Sequence, residues 1–99
     1  IEKFYVLFFS KSVSAIRFVA NGIDRIYFCV DELIKFAIHH RAESMMLVHN
    51  HPSGETAPSL EDINTERRLA EIFSKINVKL THSLIVAEFK YSLRALELQ

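Results

Sequence analysis

Cysteine, proline, glycine and surplus charge are all scarce in this chain. Among 99 residues there are one cysteine, two glycines and two prolines, and the formal net charge is zero with the histidines neutral. Each scarcity removes a class of protein. The single Cys29 excludes an internal disulfide and a cysteine-rich zinc site. It reads instead as a small buried hydrophobe on a strand. A domain that grips nucleic acid through its phosphates carries a basic surplus, and none is present, so direct DNA contact by this segment is disfavoured. No apolar run approaches the roughly 20 residues of a membrane span and no signal peptide is visible, which makes the cytoplasm the default location. The chain opens on Ile1 rather than Met, as a piece of a longer protein would.

What the chain does have is a core. An apolar share of 49 % with eight phenylalanines suits one packed domain over residues 1–99 and argues against disorder. Phe4 to Phe9 is a continuous aromatic and β-branched run, the pattern of a strand covered on both faces. Ala15 to Ala20 alternates as a half-buried strand does, Asn21-Gly22 interrupts it, and Arg25 to Val30 predicts a third strand. The period then changes. Asp31 suits an N-cap, Glu32 complements a helix start, and Leu33, Ile34, Ala37, Ile38 and Arg41 share one face, predicting a helix over Asp31 to Ala42. Ser44 to His49 reads as a short central strand. Leu60 to Ile76 is helical again, with Leu69, Ile72, Phe73 and Ile76 at helical spacing and Asn77 as its stop. Val78 to Phe89 contains a strand, and Tyr91 to Leu93 forms a last short one. The order β-β-β-α-β-α-β predicts a single-domain α/β sandwich with a mixed central sheet flanked by helices.

Both prolines and one of the glycines fall in the stretch from Leu47 to Asp62, which also gathers most of the side chains with obvious chemistry. His49 and His51 stand two apart on an extended segment, so their rings point to the same side. Ser59 suits the N-cap of the second helix, which places Asp62 at its third helical position. Two imidazoles and a carboxylate, with a fourth position left for water, form the donor set of a catalytic zinc site; a structural site would want a fourth protein ligand. Ser59 to Asp62 also reads as a capping box, and the two roles of Asp62 are compatible. The pattern H-x-H-x7-S-x2-D arises by chance in a chain of this length with a probability on the order of 10⁻⁴. His39 and His40 read as solvent-facing or as stabilising a helix C-terminus. His82, flanked by Leu80 and Leu84, reads as a structural strand histidine.

The run H-N-H-P-S-G followed by P-S-x-x-D closely resembles the JAMM (MPN+ or JAB) metal-binding signature, and within it the RadC branch. The resemblance covers almost the whole chain. Residues 2–7 are similar to the family's opening strand, Gly22 to the glycine before its third strand, residues 31–37 to its helix and residues 80–86 to its late strand. Two positions depart from the pattern: Val30-Asp31-Glu32 stands for Pro-Arg-Glu, and Leu80-Thr81-His82 for Leu-Asp-His. The resemblance implies a JAB/MPN, cytidine-deaminase-like fold and a zinc-dependent hydrolase related to deubiquitinating isopeptidases. It implies one zinc ion with a bound water, held by His49, His51 and Asp62, with Ser59 assisting the oxyanion. The family's general base corresponds to Glu2, 47 positions before His49. The implied partner is a peptide or protein substrate.

A second reading keeps the fold and drops the catalysis: an accessory or binding module in DNA repair or DNA metabolism, the label RadC-type proteins carry. Two sharper alternatives fail on residues. A zinc nucleoside deaminase needs H-x-E with P-C-x-x-C, which one cysteine cannot supply. An HNH nuclease spreads its His, Asn and His across a ββα unit, whereas His49, Asn50 and His51 are adjacent.

Overall fold

A computed structural model describes residues 2–11, 14–21, 26 and 29–97. Strands β1 (Lys3–Phe9), β2 (Ser14–Asn21), β3 (Ser44–Asn50), β4 (Lys79–Val86) and β5 (Tyr91–Ala95) form one five-stranded sheet in the order β2-β1-β3-β4-β5. Helix α1 (Val30–His39) precedes β3 and helix α2 (Leu60–Ser74) links β3 to β4. That link is the crossover a parallel pair requires, and β3 and β4 are the sheet's parallel pair, while β1/β2, β1/β3 and β4/β5 are antiparallel. The result is the expected α/β fold with a mixed sheet.

The core is built from alternate residues of the central strands. Phe4, Val6 and Phe8 of β1 and Met45 and Leu47 of β3 are buried against Leu33 and Ala37 of α1 and Leu69, Ala70 and Phe73 of α2. Phe8 sits between the helices, its ring 5.7 Å from that of Phe36 and 5.9 Å from that of Phe73. Tyr5, Leu7 and Phe9, on the other face of β1, are only half-buried. The unbroken apolar run of β1 therefore has one core face, not two.

Several boundaries differ from expectation for local reasons. In the predicted third strand, Arg25, Tyr27 and Phe28 lie outside the described residues, Ile26 and Cys29 are in 3₁₀ conformation, and Val30 already belongs to α1. Cys29 is half-buried at the N-cap of that helix, not on a strand, and gives it no side-chain cap; Asp31 is inside the first turn. The helix then ends three residues before Ala42, because Arg41 turns left-handed (φ 53°). Arg41 N–H donates to Ile38 O and Ala42 N–H to Ala37 O, the paired bonds that close a helix end. Asn77 (φ 60°) stops α2 in the same way, as its residue type suggested, with Val78 N–H donating to Phe73 O.

Phe73 is fully buried at the junction of β1 and both helices. Phe73→Ala is expected to destabilise the fold by about 3–5 kcal/mol. Urea unfolding should show a lower midpoint with an unchanged slope; a loss under about 1 kcal/mol would place the core elsewhere.

Candidate metal centre

Three elements converge at the C-terminal end of β3. His49 lies on the strand itself, buried, with its ring stacked on that of Phe4 at 4.5 Å and 18°. Phe4 is also its partner in the β1–β3 register, so the neighbouring strand sets the plane of the imidazole. His51 follows just beyond the strand and is held at both ends of its residue. Its backbone N–H donates to Val86 O (2.9 Å), and its Nδ1 lies 2.8 Å from Glu55 O. The second contact needs the chain to fold back at once. Gly54 does this with φ 87°, its N–H donating to His51 O. Asp62 enters from the first turn of α2 through a complete capping box. The Ser59 hydroxyl accepts from Asp62 N–H (3.0 Å), and Asp62 Oδ2 accepts from Ser59 N–H (2.9 Å).

The side chains meet at short range. His49 Nε2 and His51 Nε2 are 3.1 Å apart, His51 Nε2 is 2.9 Å from Asp62 Oδ2, and His49 Nε2 is 3.4 Å from Asp62 Oδ1. His49, His51 and Asp62 form one group able to hold a metal ion, the sole such group among the described residues. Two observations test whether an ion fits. Neighbouring ligands of a tetrahedral zinc ion with bonds of ~2.0–2.1 Å are about 3.3 Å apart, close to the 3.1 Å between the two Nε2 atoms and to the distance from each to one or other Asp62 oxygen. The second is the proton count. Glu55 O can only accept, so His51 Nδ1 carries the hydrogen, and in the neutral ring Nε2 presents its lone pair to Asp62 and His49. His49 Nδ1 is buried without a hydrogen-bond partner among the described residues, so its ring is free to take the tautomer that also turns the Nε2 lone pair to this point, and two such lone pairs with a carboxylate suit a cation. A carbonyl that fixes the tautomer of a histidine from behind is also what metal-ligating imidazoles usually have.

Electrostatics favour the same donor states. Burial pushes the His49 imidazole below its usual pKa, partly opposed by the Asp62 charge, so the ring stays neutral and able to ligate. Burial alone would raise the Asp62 carboxyl. The backbone N–H of Ser59 and the His49 ring, with the Ser59 hydroxyl and His51, outweigh it and hold the group below the usual carboxylate range. Glu2 stands at the edge of this group, its Oε2 4.0 Å from His51 Nε2. Partial burial, and then the Asp62 charge, raises its pKa, with His51 working the other way.

His82 is not part of the cluster. Its Nδ1 lies 2.9 Å from Thr81 Oγ1, whose hydroxyl donates to Met45 O, so it braces the β3–β4 pair. His39 and His40 sit at the end of α1, with His40 against Phe36. A partly buried pair went unread in the sequence: buried Glu66, one turn after Asp62 on α2, takes two guanidinium hydrogen bonds from half-buried Arg94 of β5. The available signal was a charge at 66 on the stripe that also holds Asp62, Leu69 and Phe73.

The depressed pKa of His49 has a sign for stability. The unfolded chain takes up a proton on this residue near pH ~6.5, whereas the folded chain does so only at lower pH. Without metal, this contribution to stability is full above about pH 6.5 and is lost as pH falls toward the folded value. In EDTA the urea midpoint should fall between pH 7.5 and 5.5, and His49→Phe should shrink that fall. An equal slope in the variant would contradict the assignment.

Comparison with known proteins agrees with this geometry. The profile described as RadC-like JAB domain matches residues 1–98. The chain is 31% identical over 90 residues to a UPF0758 protein of Vibrio atlanticus, covering 88% of this chain and 40% of the relative. It is 34% identical over 94 residues to a UPF0758 protein of Fusobacterium nucleatum, covering 92% and 40%. A UPF0758 protein of Syntrophomonas wolfei is 45% identical over 65 residues, covering 65% and 28%. The chain thus spans well under half the length of these relatives, and their names assign no activity. With a family profile matched over nearly its whole length and the His-His-Asp group in place, the chain belongs to the RadC-like JAB domain family.

Proposed function

We propose that the domain is a zinc-dependent hydrolase of the JAMM type that cleaves an amide, peptide or isopeptide bond in a polypeptide substrate. The observation that carries this reading is the convergence of His49, His51 and Asp62, with His51 Nε2 2.9 Å from Asp62 Oδ2 and its Nδ1 anchored 2.8 Å from Glu55 O. His49, His51 and Asp62 would hold one zinc ion. The donor set leaves a position for water, and zinc supplies Lewis acidity that brings a bound water's pKa toward ~7. Every other part of the chemistry falls to the chain's own side chains.

Glu2 would take the proton of the attacking water; its carboxylate oxygen 4.0 Å from His51 Nε2 and its raised pKa support that role. It then returns that proton to the leaving amine. The Ser59 hydroxyl, which accepts from Asp62 N–H and helps to lower the Asp62 carboxyl, would turn its hydrogen from that carboxylate to the oxyanion of the attacked carbonyl. Ser59 is exposed, as a group that meets substrate must be.

The protein should bind one equivalent of zinc, and His51→Ala should bind less than half. Glu2→Gln should keep the metal and lower turnover of a quenched-fluorescent peptide library about 10²–10⁴-fold. Ser59→Ala should cost roughly 10²-fold in kcat. Full activity in Glu2→Gln would remove it as the base. No peptide turnover by zinc-loaded protein, together with salt-steep duplex affinity, would move the domain to an accessory role in DNA metabolism.

A further inference from the structure

Among the described residues, the buried side-chain atoms left without a hydrogen-bond partner are His49 Nδ1, Ser83 Oγ and Arg94 Nε. A buried polar group without a partner is costly, so such atoms are rare. Here the sheet gathers them. Ser83 of β4 is opposite Leu47 on one side and Arg94 on the other, and His49 stands two residues beyond Leu47. Two residues is the period of a strand, so all three side chains project from the same face. That face lies under α2, since Arg94 reaches Glu66 of the helix.

Glu66 completes the group from the helix side. It is buried, and it follows Asp62 by one turn. Because α2 leads from the end of β3 back to the start of β4, that turn carries Glu66 from the level of His49 to that of Ser83. Its charge is felt at the His49 ring: burial lowers that ring's pKa, and Glu66 is among the groups that oppose it, after Asp62. The hydrogen inventory fits. With its Nε2 lone pair turned to Asp62 and His51, the neutral His49 ring carries its hydrogen on Nδ1. Nδ1–H and Arg94 Nε–H are then donors, while Ser83 Oγ and the Glu66 oxygens have lone pairs to accept them. Neighbouring strands are about 4.8 Å apart and two residues advance about 6.6 Å, which sets the Cα atoms of His49 and Ser83 about 8 Å apart. Side chains reaching in from both ends leave a gap that one water spans, and a buried water takes two to four polar partners.

We propose that Glu66 and Ser83 are positioning residues for the metal centre. Through a buried water they take the Nδ1 hydrogen of His49, and so turn its Nε2 lone pair to the point shared with His51 and Asp62. Arg94 holds Glu66 in place and adds a second donor to the same group. The two histidines are then fixed from behind in parallel ways, His51 by Glu55 O and His49 by this group. Outer partners of this kind set the tautomer of a ligating imidazole and raise its basicity. The assignment rests on the metal-binding part of the proposed function, not on the hydrolysis step.

Two measurements test the proposal. Long-range proton–nitrogen NMR spectra of the metal-free protein at about pH 8 show the tautomer of each neutral imidazole, and competition with a chromophoric chelator gives the zinc affinity. His49 should be in the Nδ1–H form in the parent protein. Ser83→Ala leaves the Glu66–Arg94 pair in place, and Glu66→Leu combined with Arg94→Leu leaves no unpaired buried charge. Each should shift His49 toward the Nε2–H form and weaken zinc binding about 10–100-fold. His51, held by Glu55 O, should keep its tautomer in both. An ion pair that acts on packing alone would change the urea midpoint of the double variant and leave the His49 tautomer as it was. That result overturns the proposal, as does an Nε2–H tautomer of His49 in the parent protein, or an unchanged tautomer or zinc affinity in Ser83→Ala. The two readings separate cleanly. Zinc uptake with a tautomer that no variant moves keeps the metal centre and removes the positioning residues. A tautomer shift in Ser83→Ala, in a protein that takes up no zinc, keeps the hydrogen-bonded group and removes the metal centre.

Discussion

One carboxylate joins the fold to the site. Asp62 Oδ2 accepts the backbone N–H of Ser59 while lying 2.9 Å from His51 Nε2, and Oδ1 faces His49. A helix start has unpaired N–H groups and a partial positive charge, so an ionised carboxylate is favoured there before any metal arrives. The capping bonds are among the interactions that hold Asp62 below the usual carboxylate range despite its burial. The bond that begins α2 therefore also keeps the ligand charged and aimed. Loss of Asp62 would remove a helix cap and one member of the candidate metal group together.

Sheet register accounts for the rest of the site. β1 runs antiparallel to β3, with Phe4 opposite His49, so the residue that precedes β1 emerges beside the ligand strand's end. Lys3 N–H donates to the Asn50 side chain there, fixing the chain just after Glu2. β4 runs parallel to β3 with Val86 opposite Asn50, which puts the start of the β4–β5 turn at the same end. Glu2 and the His49, His51 and Asp62 group thus gather from segments far apart in sequence. They do so because β3 is central and its two neighbours run in opposite directions.

This division explains what was legible in the sequence. The ligand triad and the start of α2 obey short-range rules, namely a two-residue strand period, a capping box and a glycine turn. Both could be read from residues 47–62. The stop of α2 was legible because Asn77 tolerates left-handed backbone. The stop of α1 was not, because Arg41 takes that conformation with no glycine or asparagine to announce it. β1 misled for another reason: a continuous apolar run does not distinguish two buried faces from one buried and one half-buried. The nearness of Glu2 to His51 depends on register alone, and only the family resemblance singled it out.

The least legible feature, the Glu66–Arg94 pair, bears on how firmly these parts are held. Burying a carboxylate and a guanidinium costs solvation that their attraction offsets only with good geometry, and here two guanidinium nitrogens meet both carboxylate oxygens. Apolar side chains in these places would pack with less demand for alignment. The pair, in contrast, specifies a single alignment of α2 against β5. Glu66 is one turn from Asp62 on the helix, and Arg94 faces the helix from the edge strand. It therefore ties the helix that aims the Asp62 carboxylate to the edge strand of the sheet. Its physical contribution is registry: it limits how far the helix that carries Asp62 can shift over the β4–β5 side of the sheet that carries His49.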